Sequence, residues 1–200
     1  MKKILTFLAI ALVLCAGFKP LSAQEDTNRW DARVGLGLFS IQDLNSLYTT
    51  GLSANIDGAY SINSTFFSLI TPNIEMSYAC NPYISIGAQL TLGYSAAEYK
   101  YYDDDNRSNF HLIYPSLMAN LKANYFKHNN FSMYGLFGLG FSTYILIDNP
   151  AYSSTYVGVS ATPMINFYPL CLSTNKDNGF FMELGWGSKG FINLGWEVKL

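Results

Sequence analysis

Alternation with a period of two runs through this chain from Arg29 to Leu200, and few folds can use it over such a length. Between 29 and 39, Trp30, Ala32, Val34, Leu36 and Leu38 share one face, while Asp31, Arg33, Gly35 and Gly37 share the other. Between 83 and 99, Ile84, Ile86, Ala88, Leu90 and Leu92 oppose Ser85, Gly87, Gln89, Thr91 and Gly93. The pattern recurs at 68–78, with Ile70, Ile74 and Met76 against Thr71, Asn73 and Glu75, and at 110–126, with Leu117, Ala119 and Leu121 against Ser116, Asn120 and Lys122. At 131–147, Phe137, Leu139 and Phe141 oppose Gly138, Gly140 and Ser142, and at 156–168, Val157, Val159 and Ile165 oppose Gly158, Ser160 and Asn166. The last two segments are 180–186, where Phe180, Met182, Leu184 and Trp186 oppose Glu183 and Gly185, and 192–200, where Ile192, Leu194, Trp196, Val198 and Leu200 oppose Asn193, Gly195, Glu197 and Lys199. Each segment reads as a strand with one apolar face and one polar or small-residue face.

Composition decides where the apolar face goes. Half of the residues are hydrophobic, 16% are aromatic and only 13% are charged, whereas soluble domains carry about a quarter charged residues. Yet beyond Ala23 no apolar run approaches the roughly 20 residues that a spanning helix needs. Alternating strands reconcile the two, because only one face of each is apolar. An even number of such strands predicts an all-β fold, an eight-stranded antiparallel up-and-down transmembrane barrel. The competing fold is a soluble β-sandwich or lipocalin-like barrel with the apolar face inside. Pro72, Pro115 and Pro163 fall within predicted strands and lack a ladder donor, so a β-bulge is expected at each.

The N-terminus gives the address. Lys2 and Lys3 precede an apolar run over 4–18 and then Leu21-Ser22-Ala23, the pattern of a cleaved secretory signal peptide over 1–23. The remaining 24–200 suits one barrel domain. Cys15 follows Leu14 rather than a small residue, which disfavours lipidation there. Removing Lys2, Lys3 and Lys19 takes the formal charge from −2 to −5. No basic stripe invites nucleic acid. Cys80 and Cys171 form no CxxC or CxxH pair, so no metal or other cofactor is expected. They are expected unbridged, being assigned to turns on nearly opposite sides of the barrel.

Two kinds of connection alternate. Cys80-Asn81-Pro82 and Lys127-His128-Asn129-Asn130 read as tight turns, whereas 40–67 and 100–109 read as longer polar loops, with 61–67 a candidate strand extension. Two links break the rule: 169–179 is long for a turn, and Gly187-Ser188-Lys189-Gly190 is short for an outer loop. Trp30, Tyr78, Tyr83, Tyr99, Tyr101, Tyr125, Tyr168, Trp186 and Trp196 fall near strand ends, as interfacial girdles require, although aromatics also simply favour strands.

With these features the chain resembles the small eight-stranded outer-membrane barrels, the group of OmpX and the OmpA membrane domain, and in particular the "outer membrane protein beta-barrel domain" proteins of Bacteroidota. The terminal strand carries the resemblance locally. Asn193-Leu194-Gly195-Trp196-Glu197-Val198-Lys199-Leu200 is similar to the polar-x-Gly-x-x-hydrophobic-x-hydrophobic barrel-assembly signal. Val198 and Leu200 stand where that signal usually has aromatics. The resemblance implies residence in the cell outer membrane, with lipid and the barrel-assembly machinery as partners.

On this reading Asp31, Arg33, Glu75, Lys122, Glu183, Glu197 and Lys199 point inward, as an ion-paired plug or as the lining of a selective pore. Asp103, Asp104 and Asp105 form an acidic loop suited to a hard cation or surface ligand, or merely to solvent, without the spacing of an EF-hand. His111 and His128 lack the His-x-Ser pattern of lipid A deacylases, and nothing fixes His111 against Ser108 as a nucleophile–base pair. The expected function is a non-enzymatic outer-membrane barrel with a structural or surface-binding role and no open channel. The alternatives are an enzyme acting on lipid A and a periplasmic lipocalin-like binding barrel.

Overall fold

The computed structural model describes residues 30–42, 60–67, 70–101, 107–128, 131–149, 156–174 and 177–200. The signal-peptide assignment and Asp103, Asp104 and Asp105 lie outside them. The strands are β1 (Trp30–Leu38), β2 (Tyr60–Phe67), β3 (Ile70–Ala79), β4 (Ile84–Tyr101), β5 (Arg107–His128), β6 (Phe131–Asn149), β7 (Tyr156–Thr174), β8 (Asn178–Trp186) and β9 (Ile192–Lys199). β2 and β3 pair antiparallel with successive stretches of β4, at Ser95–Tyr101 and Ser85–Thr91, and so share one place in the wall. The remaining pairings run β3–β1–β9–β8–β7–β6–β5–β4 and close the ring. The result is a closed barrel of eight antiparallel wall positions.

Closure sets the sides of every strand. Val34, Leu36, Ile74, Leu90, Phe141, Ile165 and Trp196 are exposed on the outer surface. Arg33, Glu75, Gln89, Lys122, Asn166 and Glu197 are buried in the interior. The apolar face therefore points outward, opposite to the lipocalin-like alternative. Eight strands enclose a space just wide enough for side chains to fill.

Several expectations need correction. The link 169–179 is not a long turn: β7 continues to Thr174, with β8 beginning at Asn178. A register shift between Phe167 and Leu170 inserts one extra residue, so Tyr168 and Cys171 both point inward and the alternation changes parity. That slip hid the strand's last residues. Tyr168 keeps the inward parity of Asn166 and is buried inside, not in the girdle, whereas the shift turns Cys171 inward, and Cys171 lies in the strand and not in a turn. Both cysteines are free. Within 40–67, the candidate strand extension at 61–67 is indeed a strand, β2.

The prolines do not create bulges. Register runs through Leu36↔Pro72, Leu92↔Pro115 and Phe141↔Pro163, and the shifts lie elsewhere. Each proline has a paired residue on one flanking strand only, which accommodates the missing donor without a bulge.

Strand lengths are uneven. β4 to β7 run 18 to 22 residues, whereas β1, β8 and β9 have 9, 9 and 8. At the end opposite the tight turns, β4–β7 therefore rise above β8, β9 and β1 as a curved sheet.

Candidate functional site

The interior of the barrel holds a continuous polar network, built from every side of the wall. Arg33 on β1 lies between Glu75 on β3 and Glu197 on β9, its partners in register. Its guanidinium pairs with Glu197, donates 2.6 Å to the Tyr134 hydroxyl and lies 3.4 Å from Glu183 Oε1. It also sits 4.9 Å from the Tyr134 ring centroid and 5.1 Å from that of Phe181, within cation–π range. Tyr134 in turn donates to Glu183 Oε1 at 2.9 Å. Glu197 Oε1 accepts from Ser173 at 3.2 Å.

Lys122 on β5 donates to Ser77 at 3.2 Å and lies 3.8 Å from Glu75 Oε1. Lys189 is the residue the sequence reading missed. It was assigned to a short outer loop, yet it is 1% exposed. Its ammonium donates to Glu75 Oε2 at 2.5 Å and Glu183 Oε2 at 2.8 Å. The connection 187–190 turns inward to deliver it. Gly37 permits the approach, because a Cβ there would lie 1.4 Å from the Lys189 carbonyl oxygen. Gly190 adopts φ 102°, which favours glycine, and its carbonyl accepts from Tyr168 at 2.9 Å.

Amides and hydroxyls link this connection to the wall. Gln89 donates to Ser188 Oγ at 2.9 Å, and its own Oε1 accepts from Asn120 at 2.8 Å and Asn166 at 3.1 Å. Asn166 Oδ1 accepts from the Ser188 backbone N–H at 2.7 Å. Above them Gln42 folds in from the start of the first connection and donates to Ser116 at 2.7 Å. None of these amides was singled out from the sequence, because inward-facing Asn and Gln look like any polar strand residue.

Among the described residues the buried charges balance: Arg33, Lys122 and Lys189 against Glu75, Glu183 and Glu197. Low dielectric makes an unpaired buried charge costly, so this balance and the dense pairing go together. Asp31 and Lys199 face each other in register at the end bearing the termini, where both are half-buried. Asn193, assigned to the assembly signal, also belongs to the interior: it donates to Glu183 Oε2 and accepts from Asn73, each at 2.8 Å. Gly195 lies beside Gly35 in register and leaves room for the Phe181 ring. Val198 is half-buried and Leu200 is exposed.

Outside this network the Tyr94 hydroxyl lies 2.8 Å from His111 Nδ1, with the two rings stacked. Among the described residues no group of three or more His, Cys, Asp and Glu is arranged to hold a metal ion.

A family model for the outer membrane protein beta-barrel domain matches residues 8–200. Among solved structures the chain is similar to Ail, the attachment invasion locus protein of Yersinia pestis, in complex with the heparin analogue sucrose octasulfate. The two share 11% sequence identity with a TM-score of 0.43, over 84% of this chain and 95% of that one. No curated protein matches the sequence.

Proposed function

This chain belongs to the outer membrane protein beta-barrel domain family, and from that premise we propose a surface-binding barrel with a sealed interior. The signal peptide over 1–23 is cleaved on export, and 24–200 inserts into the outer membrane with its termini and tight turns on the periplasmic side. The lumen conducts nothing, because a neutral belt of paired charges fills it. Function then resides at the outer end, where β4–β7 stand above their neighbours, and no chemistry is catalysed there.

The observation that carries this reading is the free edge of β7. The β7–β8 ladder stops at Phe167↔Trp186, and among the described residues no strand pairs with 156–166 on that side. Val157 and Val159 are 59% and 68% exposed, and Ser160, Ala161, Thr162 and Pro163 are exposed as well. No residue in 156–166 is charged. Charged edge residues are the usual guard against strand addition, and an unguarded edge suits capture of an extended segment by main-chain hydrogen bonds.

The test presents the barrel in nanodiscs to an array of immobilised extended peptides. The wild-type protein is compared with Val157→Pro and with Val159→Lys, two outward positions of the same parity as Pro163, which blunt the edge without touching the lumen. Retention of peptides by the wild type and their loss in both variants is expected. Equal retention by all three proteins, or none by the wild type, would sink the edge-binding reading.

A further inference from the structure

One hydrogen bond beside β7 fixes which of its residues serve the free edge. The Gly185 N–H donates to the Phe191 carbonyl at 3.0 Å, so Gly185 aims its main chain at the β9 side. In an antiparallel strand the N–H and C=O of one residue point the same way, and the direction alternates along the chain. Trp186 therefore aims at β7, and its register partner Phe167 aims back. The β6–β7 register is unbroken from Tyr156 to Tyr168. The alternation thus sends Ile165, Pro163, Ala161, Val159 and Val157 toward the unpaired side, and Thr162, Ser160 and Gly158 toward β6. Pro163 agrees with this assignment, because its missing donor falls where no ladder exists. Pro163 also interrupts the edge. Beyond it Ala161, Val159 and Val157 each offer an N–H and a C=O, which suits a five-residue segment laid opposite 157–161.

Side chains decide what that segment can be. On the outer face Val157, Val159 and Ala161 lie in register with Ile147, Ile145 and Thr143 of β6. Residues of an added strand opposite these three share their face, and apolar β-branched or aromatic side chains pack best there. The two intervening residues fall beside Gly158 and Ser160, on the face toward the barrel mouth, where small polar side chains suffice. Neither face supplies a counter-charge within 156–166.

We infer, on the strength of the edge-binding reading above, that β7 selects an uncharged antiparallel segment of another protein with the pattern apolar-x-apolar-x-apolar. Its three apolar residues lie beside Val157, Val159 and Ala161, and their N–H groups bond to β7. The N–H groups of the two intervening residues point away from the barrel. Pro163 stops the ladder at the segment's N-terminal end.

The test uses the full chain in nanodiscs and fluorescent synthetic peptides with the core Val-Ser-Val-Ser-Val between solubilising tails. N-methylation of the central Val removes an N–H that faces β7 and should abolish binding. N-methylation of the second Ser removes one that faces away and should leave the affinity within about twofold. The isomer Val-Val-Val-Ser-Ser should bind at least about threefold more weakly, having lost the alternation. A core lengthened by Val-Ser at its N-terminus should gain several-fold more affinity from the extension in Pro163→Ala than in wild type, since the variant regains a donor. Heat-modifiable gel migration verifies that the variant is folded. Equal loss with both N-methyl peptides, equal binding of the isomer, or equal gains in the two proteins would overturn the inference and leave edge binding itself standing. No binding of any peptide by the wild type would sink both. Wild-type dimers in proteoliposomes that are lost in Val159→Lys would give the edge to a second copy and likewise overturn the inference.

Discussion

Lys189 Nζ lies 2.5 Å from Glu75 Oε2, although Lys189 belongs to no strand and Glu75 sits in the wall on β3. The same ammonium holds Glu183 Oε2 at 2.8 Å. The connection from β8 to β9, five residues over 187–191, thereby ties β3 to β8 through the interior. The interior charge network of this barrel thus includes a residue outside the wall.

Lys189→Met is expected to lower stability strongly. It leaves Glu75 and Glu183 short of one buried cation, and breaking a buried pair costs about 3–5 kcal/mol. The readout is the urea midpoint of the heat-modifiable gel shift in detergent. The double variant Lys189→Met/Glu75→Gln should recover part of the loss, since it restores the charge balance. An unchanged midpoint in the single variant would show that Lys189 does not secure the belt.

Wild-type protein in planar bilayers is expected to give no reproducible large conductance steps. The lumen at the level of Arg33 is occupied by the Tyr134 and Phe181 rings as well as by charges. In Lys189→Met the buried charge becomes one unit negative, so any conductance gained should favour cations over anions. Large steps in the wild type would refute the filled lumen.

Gly37→Ala is expected to displace the 187–190 connection, because its methyl would meet the Lys189 carbonyl oxygen at 1.4 Å. Backbone cannot yield there as a flexible side chain would. Amine-reactive labelling read by mass spectrometry should find Lys189 protected in the folded wild type and modified in folded Gly37→Ala. Protection in both would mean that the connection is held without Gly37.

Much of this architecture is legible in the sequence, because period-2 alternation fixes sides strand by strand. Arg33, Glu75 and Lys122 take their orientation from parity alone. Parity fails where a residue is inserted. The slip between Phe167 and Leu170 disguises the end of β7 and turns Cys171 inward. It fails also for a residue in a connection: nothing in Gly187-Ser188-Lys189-Gly190 says whether the chain turns toward solvent or into the barrel. Gly37 is the partner clue, yet a glycine on an inward face is common to many strands here. A bulge at each proline is expected only if the donor-less residue stands in a complete ladder, whereas each proline has a paired neighbour on one side only.

The two thiols should behave differently. Cys171 is buried and its Sγ lies 3.4 Å from the Tyr168 carbonyl oxygen, whereas Cys80 is half-buried beside a tight turn. A maleimide is expected to modify Cys80 in the folded barrel, and Cys171 only after denaturation. Two free thiols should be counted in the unreduced, denatured protein. Equal rates in the folded state would contradict the inward setting of Cys171.

The last residues complete the ring, and their removal is expected to reduce folded protein in the membrane. The Leu200 N–H donates to the Trp30 carbonyl and the Lys199 N–H to the Asp177 carbonyl, both at 2.8 Å. Val198 pairs with Ala32 on one side and Asn178 on the other. Deleting Val198, Lys199 and Leu200 therefore opens the end of both ladders that flank β9, and it also removes the terminal pattern proposed as the assembly signal. Two effects would then act at once, and Leu200→Asp separates them. It keeps the backbone N–H that reaches Trp30 but replaces an apolar terminal side chain that is 59% exposed. Refolding of purified protein in detergent reports closure alone, whereas the folded fraction recovered from cells reports closure and assembly together. The deletion should fail in both assays. Leu200→Asp should refold in detergent yet accumulate poorly in cells, and normal accumulation would show that the terminal side chain carries no assembly signal.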